Sequence, residues 1–276
     1  MVNDVRVAPG RLAVTKPTGG AVEVLLVKQV AGREWEALVR PSRRVSPGTV
    51  LSASDGPLVE VGEDLGEGRR RVRTIGPRER LAAQGEVPLP PYITEGLSDP
   101  ERYQTVYARR AAAAAAPTAG LHLTTEVLDR CRAGGATVVA VELEVGFDTF
   151  RPIRAEFVED HQMHSERYHV PPAVLRACGR ADRVLAVGTT TLRALEAAAD
   201  TGASEGETDL FIRRPFDFQV VDLLLTNFHV PRSSLLVLID AFVGRRWRSL
   251  YVEALERGYR FLSFGDAMLL TRHPAR

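Results

Sequence analysis

The chain has 276 residues, enough for one large domain or two modest ones, and its 45% hydrophobic and 26% charged side chains are ordinary for a globular protein. A net charge of +1 excludes the global basic field that announces a nucleic-acid binder. Cys131 and Cys178 make neither a disulfide framework nor a metal spacing, the opening residues carry no signal-peptide pattern, and no stretch reaches the roughly 20 apolar residues of a membrane span, so a cytoplasmic protein with no membrane partner is expected.

In chain order, strand signals come first. Residues 21–30, 34–40, 48–53, 57–62 and 69–75 are short and often alternate, punctuated by Gly19-Gly20, Gly32, Pro47-Gly48 and Gly56-Pro57. They predict a small antiparallel barrel or sandwich over residues 1–80. Past the proline-rich Pro88-Leu-Pro-Pro-Tyr-Ile93, the pattern predicts helices near 99–114, 124–133, 172–179, 190–200, 232–243 and 248–257. Strands are predicted near 136–145, 183–188, 208–213 and 219–226. That alternation predicts an α/β domain over 81–276 with a largely parallel sheet. Charge is locally uneven. Glu60, Glu63, Asp64 and Glu67 precede Arg69, Arg70, Arg71, Arg73, Arg78 and Arg80, and a second basic cluster is Arg245, Arg246 and Arg248. Each suits either a solvated face or phosphate contact.

Two junctions carry the most chemistry. Val187-Gly-Thr-Thr-Thr-Leu-Arg193 and Thr226-Asn-Phe-His-Val-Pro-Arg232 each follow an apolar, strand-like run and open a helix-like one. Thr189 to Thr191 offer N-cap hydroxyls, and Pro231 suits a first helical position. Ligands of open α/β sheets bind beyond strand carboxyl ends, where helix N-termini present free N–H groups. The pair therefore points to one small-molecule site with an anionic part; the competing reading is two ordinary capped turns. His161-Gln-Met-His-Ser-Glu166 places His161 and His164 three apart, but HExxH and a third ligand are missing, so proton transfer or hydrogen bonding fits better than a metal. Ala116-Pro-Thr-Ala-Gly-Leu-His122 reads as a tight turn with small residues before His122 and a helix. Asp99 caps a stretch with Arg102, Tyr103 and Tyr107, and Ser263-Phe-Gly-Asp-Ala-Met268 reads as a strand-to-helix turn with Asp266 free to cap or bind. There is no P-loop, GxGxxG or GxSxG.

These blocks together resemble the S-adenosylmethionine:tRNA ribosyltransferase-isomerase family of queuosine biosynthesis. The match runs from Asn3-Asp-Val-Arg-Val7 through Arg102-Tyr-Gln-Thr-Val-Tyr-Ala108, Ala115-Ala-Pro-Thr-Ala-Gly-Leu-His122, Thr149-Phe-Arg-Pro-Ile153 and Met163-His-Ser-Glu166. It continues through both junctions to Tyr259-Arg-Phe-Leu-Ser-Phe-Gly-Asp-Ala-Met268. The resemblance implies a β-barrel inserted in an α/β domain, and transfer of the ribosyl part of S-adenosylmethionine onto 7-aminomethyl-7-deazaguanine in tRNA. Isomerisation then gives epoxyqueuosine and releases adenine and methionine. S-adenosylmethionine is consumed as a substrate, so no cofactor and no metal are expected; the partners are tRNA and S-adenosylmethionine, and the protein is expected to be a monomer. Such chemistry needs a base beside the sulfonium, an acid for departing adenine, and groups that hold the ribose and the methionine carboxylate. His122, His161, His164 and His229 fit proton transfer. Thr189, Thr190 and Arg193 fit holding, with Asn227 and Arg232 nearby in pattern; Arg102, Tyr103, Thr118, Glu166 and Asp266 complete the candidate substrate-binding set.

Three features depart from the family pattern. The family begins upstream of the Asn3 block with a segment that packs into the α/β domain, so a native start upstream, or lowered stability, is expected. Leu143-Glu-Val-Gly-Phe-Asp-Thr-Phe150 has Glu144 where the family has His and Asp148 where it has Gly. The usual Gly is lost in the alanine run 111–116. Rival readings are a relative that uses S-adenosylmethionine with another acceptor, and a tRNA-binding relative without catalysis.

Overall fold

A computed structural model describes residues 1–146, 149 and 152–273. The chain opens with β1 (Val2–Asn3) and β2 (Val5–Val7). It continues through β3 (Arg11–Thr15), β4 (Ala21–Ala31), β5 (Glu34–Arg40), β6 (Val50–Ala53), β7 (Gly56–Gly66), β8 (Arg69–Thr74), α1 (Arg78–Gln84) and β9 (Gly85–Glu86). Then come β10 (Arg110–Ala113), α2 (Thr125–Ala133), β11 (Ala140–Leu143), β12 (Glu166–His169), α3 (Pro172–Cys178), β13 (Leu185–Val187) and α4 (Thr189–Thr201). The chain ends with β14 (Glu205–Thr208), β15 (Leu223–Asn227), α5 (Ser234–Val243), α6 (Trp247–Glu256) and β16 (Ala267–Thr271).

Two compact units result. One comprises Val7–Gly96 with Ala112–Ala115, the other Met1–Arg6, Leu97–Ala111 and Ala116–Arg276. The first is therefore an insertion in the second. Its boundaries differ from the expected 1–80 and 81–276, because β1 pairs in parallel with β11 and so belongs to the α/β unit.

In the inserted unit, β4-β5-β8-β7-β6-β3 close on one another through β3–β4, and every neighbouring pair is antiparallel. Closure removes the sheet edges. Alternation supplies the interior: β3 buries Leu12 and Val14 and exposes Arg11, Ala13 and Thr15, and Val24, Leu51, Leu58, Val59 and Val72 fill the same core. The charged run is absorbed locally. Arg73 pairs with Glu60, Arg80 with Asp55 at 2.8 Å and Arg70 with Asp64 at 3.6 Å. Arg70 also donates to the backbone oxygens of Ser42 and Val45.

In the α/β unit, β13 and β15 run parallel, with β16 antiparallel at the edge. On the other side β11, β12 and β14 are successive antiparallel neighbours. Met1 links the two groups: its nitrogen donates to Leu185 O at 2.8 Å, and Val187 N donates to Met1 O at 3.0 Å, the alternate-residue pattern of a parallel pair. The sheet order is thus β14-β12-β11-β1-β13-β15-β16. Four central strands are parallel and the outer ones antiparallel, so the expected parallel sheet holds for the centre alone. The carboxyl ends of β11, β1, β13 and β15 consequently lie along one edge.

Several predicted elements differ. The stretch 99–114 is a 3-10 turn, Pro100–Tyr103, followed later by β10. Alanine favours helix, but Ala113 to Ala116 are buried, where small side chains allow close packing, and tertiary context overrides propensity. The strand expected at 208–213 ends at Thr208, and β12 and β16 are unforeseen. Residues 263–268 lead into β16 rather than a helix. No described helix is long and apolar enough to cross a membrane.

Candidate active site at the carboxyl ends of the parallel strands

After β13 the chain turns at Gly188, which has φ +90°, a conformation that L side chains rarely adopt; a Cβ there would also meet Ala119 at 3.6 Å. Gly188 is the N-cap of α4, so the expected threonine caps do not form. Thr191 instead donates to Val187 O at 2.6 Å, and Thr190 Oγ1 accepts from Asn3 Nδ2 at 3.3 Å. Fully buried Asn3 also exchanges bonds with the backbone of Leu143, clipping β1, β11 and α4 together. After β15 the helix begins not at Pro231 but at Ser234, with Ser233 accepting from Leu236 N at 3.2 Å. Arg232 has φ +59°, accepts from Ile153 N through its backbone, and has an exposed side chain.

Two networks occupy this edge. In the first, Thr118 donates to Asn227 Oδ1 at 3.1 Å and Asn227 Nδ2 donates to His122 Nε2 at 3.0 Å. His122 ends the 3-10 turn Thr118–His122 rather than starting a helix. With Nε2 accepting, Nδ1 carries the proton. Burial holds the His122 imidazole below its ordinary range, against the charge of Asp266. Asp266 itself accepts from Arg260 N at 2.7 Å. Gly120 lies in the same turn, and a Cβ there would overlap the Tyr107 hydroxyl. Tyr103 is buried with its ring edge-on to Phe264, and Arg102 lies over that same ring.

The second network is centred on Glu166, on β12. Its Oε1 accepts from Gly146 N at 2.8 Å and Thr149 Oγ1 at 3.2 Å and lies 3.1 Å from His164 Nε2; its Oε2 pairs with Arg193 Nη1. Burial pushes this carboxyl up, but the His164 hydrogen bond, the Arg193 and His164 charges and the Gly146 N–H outweigh it and hold it below its ordinary value. Arg193 spends its remaining donors on the carbonyls of Leu210, Thr208 and His164. Its guanidinium therefore ties α4 to β12 and β14. A pocket beside it is lined by Thr189, Thr190, Glu166, Thr149 and Met163. His161 stands edge-on to Phe211, and its pKa is lowered by burial and by His164.

His229 is different. Its ring bonds Thr226 Oγ1 at 3.0 Å, its backbone N–H donates to Tyr251 OH at 2.9 Å, and burial drops its pKa to about 4. Glu144, where the resemblance implies an imidazole, accepts from Arg110 Nη2 at 2.8 Å. Asp148 lies outside the described residues. Thus Thr118, His122 and Asn227 come together, as do His164, Glu166 and Arg193 with Thr189 and Thr190 alongside. Sequence reasoning assigned no role to Asn3, Thr149, Gly146 or Tyr251. Asn3 and Thr149 stand in blocks that carry the family resemblance, but no spacing signals their partners. Among the described residues, no group of three or more His, Cys, Asp or Glu could hold a metal ion.

A barrel inserted in an α/β chain, with histidine, asparagine and carboxylate networks along one edge of its sheet, has the form of an α/β enzyme whose candidate site lies at the strand ends. Residues 1–270 match the family described as queuosine biosynthesis protein. The S-adenosylmethionine:tRNA ribosyltransferase-isomerase of Rubrobacter xylanophilus is 49% identical over 98% of this chain and 81% of its own. That of Thermus thermophilus is 49% identical over 97% and 82%. A crystal structure of S-adenosylmethionine tRNA ribosyltransferase from Thermotoga maritima is 33% identical, covers 97% of this chain and 80% of that one, and superposes with a TM-score of 0.48. The chain belongs to the queuosine biosynthesis protein family.

Proposed function

We propose that the protein is an S-adenosylmethionine:tRNA ribosyltransferase-isomerase that forms epoxyqueuosine at 7-aminomethyl-7-deazaguanine in tRNA, releasing adenine and methionine. The observation that carries the reading is that one sheet edge holds two imidazoles with different hydrogen-bond partners, His122 on Asn227 and His164 on Glu166, in a chain 49% identical to relatives of that name. With Glu166 ionised and accepting from Nε2–H, His164 keeps Nδ1 as an acceptor for the proton beside the sulfonium, and the carboxylate steadies the imidazolium that forms. With Nε2 held by Asn227, His122 keeps Nδ1–H as a donor to departing adenine. Thr189 and Thr190 supply hydroxyls for the ribose or the methionine carboxylate. Arg193 and Glu166 act by positioning, and buried His229 by holding the end of β15. S-adenosylmethionine is substrate, and no resident cofactor is invoked.

The test is incubation with S-adenosylmethionine and tRNA carrying 7-aminomethyl-7-deazaguanine, followed by nucleoside mass spectrometry. Epoxyqueuosine with matching adenine release is expected. Adenine release without modified tRNA points to another acceptor, and binding without turnover to a non-catalytic relative. His164→Ala should lose at least tenfold in turnover, about 1.4 kcal/mol of transition-state stabilisation.

A further inference from the structure

The second arginine cluster is not absorbed as the first is. Arg245, Arg246 and Arg248 are exposed, and no described acidic side chain pairs with them; Arg248 lies over the Trp247 ring. Stability alone favours acids, not bases, at the start of a helix, and the first turn of α6 has none. Beyond them a groove of about 400 Å³ runs between α6 and β16. Arg246, Leu250, Glu253 and Arg257 share its helical wall, spanning about 16 Å at 1.5 Å per residue. Glu253 is the acid on that wall, and it is paired with Arg257 at 2.7 Å. Phe228 forms part of the floor, while Tyr259 and Leu269 are 41% and 64% exposed. Phe228 stands between Asn227 and His229, and Tyr251 of α6 holds the His229 N–H, so groove and site share the end of β15.

We propose that this groove docks a single-stranded segment of the tRNA substrate. An unstacked base lies on Tyr259 and the apolar floor, and Arg246, Arg257, Arg245 and Arg248 contact the flanking phosphates. Aromatic surface beside exposed arginines, three of them without an acidic partner, is the chemistry that single strands recognise. The volume suits a nucleotide, whereas a stable protein partner needs roughly 800 Å² on each side. The inference rests on the tRNA reading above and names the surface that serves it.

The test is tRNA binding by the full chain, read by fluorescence anisotropy across a salt series. Arg245→Ala/Arg246→Ala/Arg248→Ala should raise Kd at least tenfold and lower the slope of log Kd against log salt by about 2, since each phosphate that an arginine neutralises on a single strand adds roughly 0.7. Leu269→Glu, at an exposed position, should also raise Kd tenfold with unchanged melting. Arg130→Ala/Arg176→Ala/Arg180→Ala removes the same charge elsewhere and should change Kd less than twofold. Wild-type affinity in the first two variants overturns the proposal, as does an equal loss in the control, or a Leu269→Glu effect confined to dissolving a dimer. Binding is read without turnover. If the groove variants lose tRNA while no protein forms epoxyqueuosine, the groove stands and the enzymatic reading falls. If they form epoxyqueuosine at the wild-type rate with limiting tRNA, the groove falls and the enzymatic reading stands.

Discussion

The two networks at the strand ends are built on opposite principles. Around Glu166 the carboxylate is buried and both its oxygens are engaged, and Arg193 is bonded to it and to three carbonyls. Around Asn227 the groups are neutral and fewer, and His122 is only half-buried. A saturated ionic cluster resists movement, because removing any member strands a charge in a poor dielectric. A neutral chain of three side chains tolerates adjustment. The difference separates a network that resists rearrangement from one that yields to it.

The largest effect expected follows from the ionic side. Arg193→Met leaves Glu166 buried and without its guanidinium partner, and should cost about 3–5 kcal/mol in urea unfolding. Arg193→Met/Glu166→Gln removes both charges and should recover part of that loss. A double variant no more stable than the single one breaks the contrast, because the cost then lies in packing rather than stranded charge.

Next comes the pH response of His229. Its folded pKa is about 4 against an ordinary 6.5, lowered by burial. Between those values the unfolded chain takes a proton that the folded chain refuses, so stability falls as pH falls from 6.5 to 4. The loss is on the order of 3 kcal/mol over that window. His229→Gln should flatten it. Glu166 acts lower: its folded pKa lies below the ordinary 4.5, so its contribution is present above 4.5 and disappears as pH drops through the folded value. Two separable steps in melting temperature against pH are expected, the upper absent in His229→Gln and the lower in Glu166→Gln.

What the sequence made legible follows the same division. Local signals located α2, α3, α4, α5 and α6 to within about two residues, the ordinary uncertainty of helix ends. They also marked five of the six barrel strands, whose alternation and Gly–Pro turns are short-range, but not β3, which closes the barrel. The junctions at Gly188 and Asn227 were found because strand-then-helix patterning is local too. The purpose of Arg193 was not legible. As a cation beside threonines it read as a ligand for a carboxylate, and only the fold reveals that Glu166 and three carbonyls consume it. The burial of His229 was not legible either, since sequence does not report it. The alanine run 111–116 reads as helix by propensity, and its buried surroundings are a non-local fact.

On the neutral side, Gly120→Ala should cost about 1–3 kcal/mol by overpacking, because the added methyl overlaps the Tyr107 hydroxyl and presses on Thr105. Turnover should fall more than stability suggests, since the turn carries both Thr118 and His122. Gly120→Ala/Tyr107→Phe opens part of the space and should regain some of each. A double-mutant cycle in melting and turnover measures the coupling. Additive losses would mean that the turn and Tyr107 do not constrain one another.

The smallest effect concerns Glu144. Its carboxylate accepts from Arg110, whose Nε is bonded to Glu142 at 2.8 Å, so Arg110 keeps a partner when Glu144 is replaced. The side chains of Arg110 and Glu144 remain 50% and 23% exposed, and a pair so hydrated is worth about 0–1 kcal/mol. Glu144→His should therefore change unfolding free energy by less than about 1 kcal/mol. If the position were simply a lost imidazole, the same change would raise epoxyqueuosine formation. The ion pair with Arg110 gives Glu144 a function of its own, so turnover should stay level or fall. Glu144→His/Asp148→Gly restores the family pattern at both positions. A rise in the double variant alone would mean that the two residues changed together to suit another acceptor. A rise already in Glu144→His would place Glu144 at the substrate and extend the neutral network across β11.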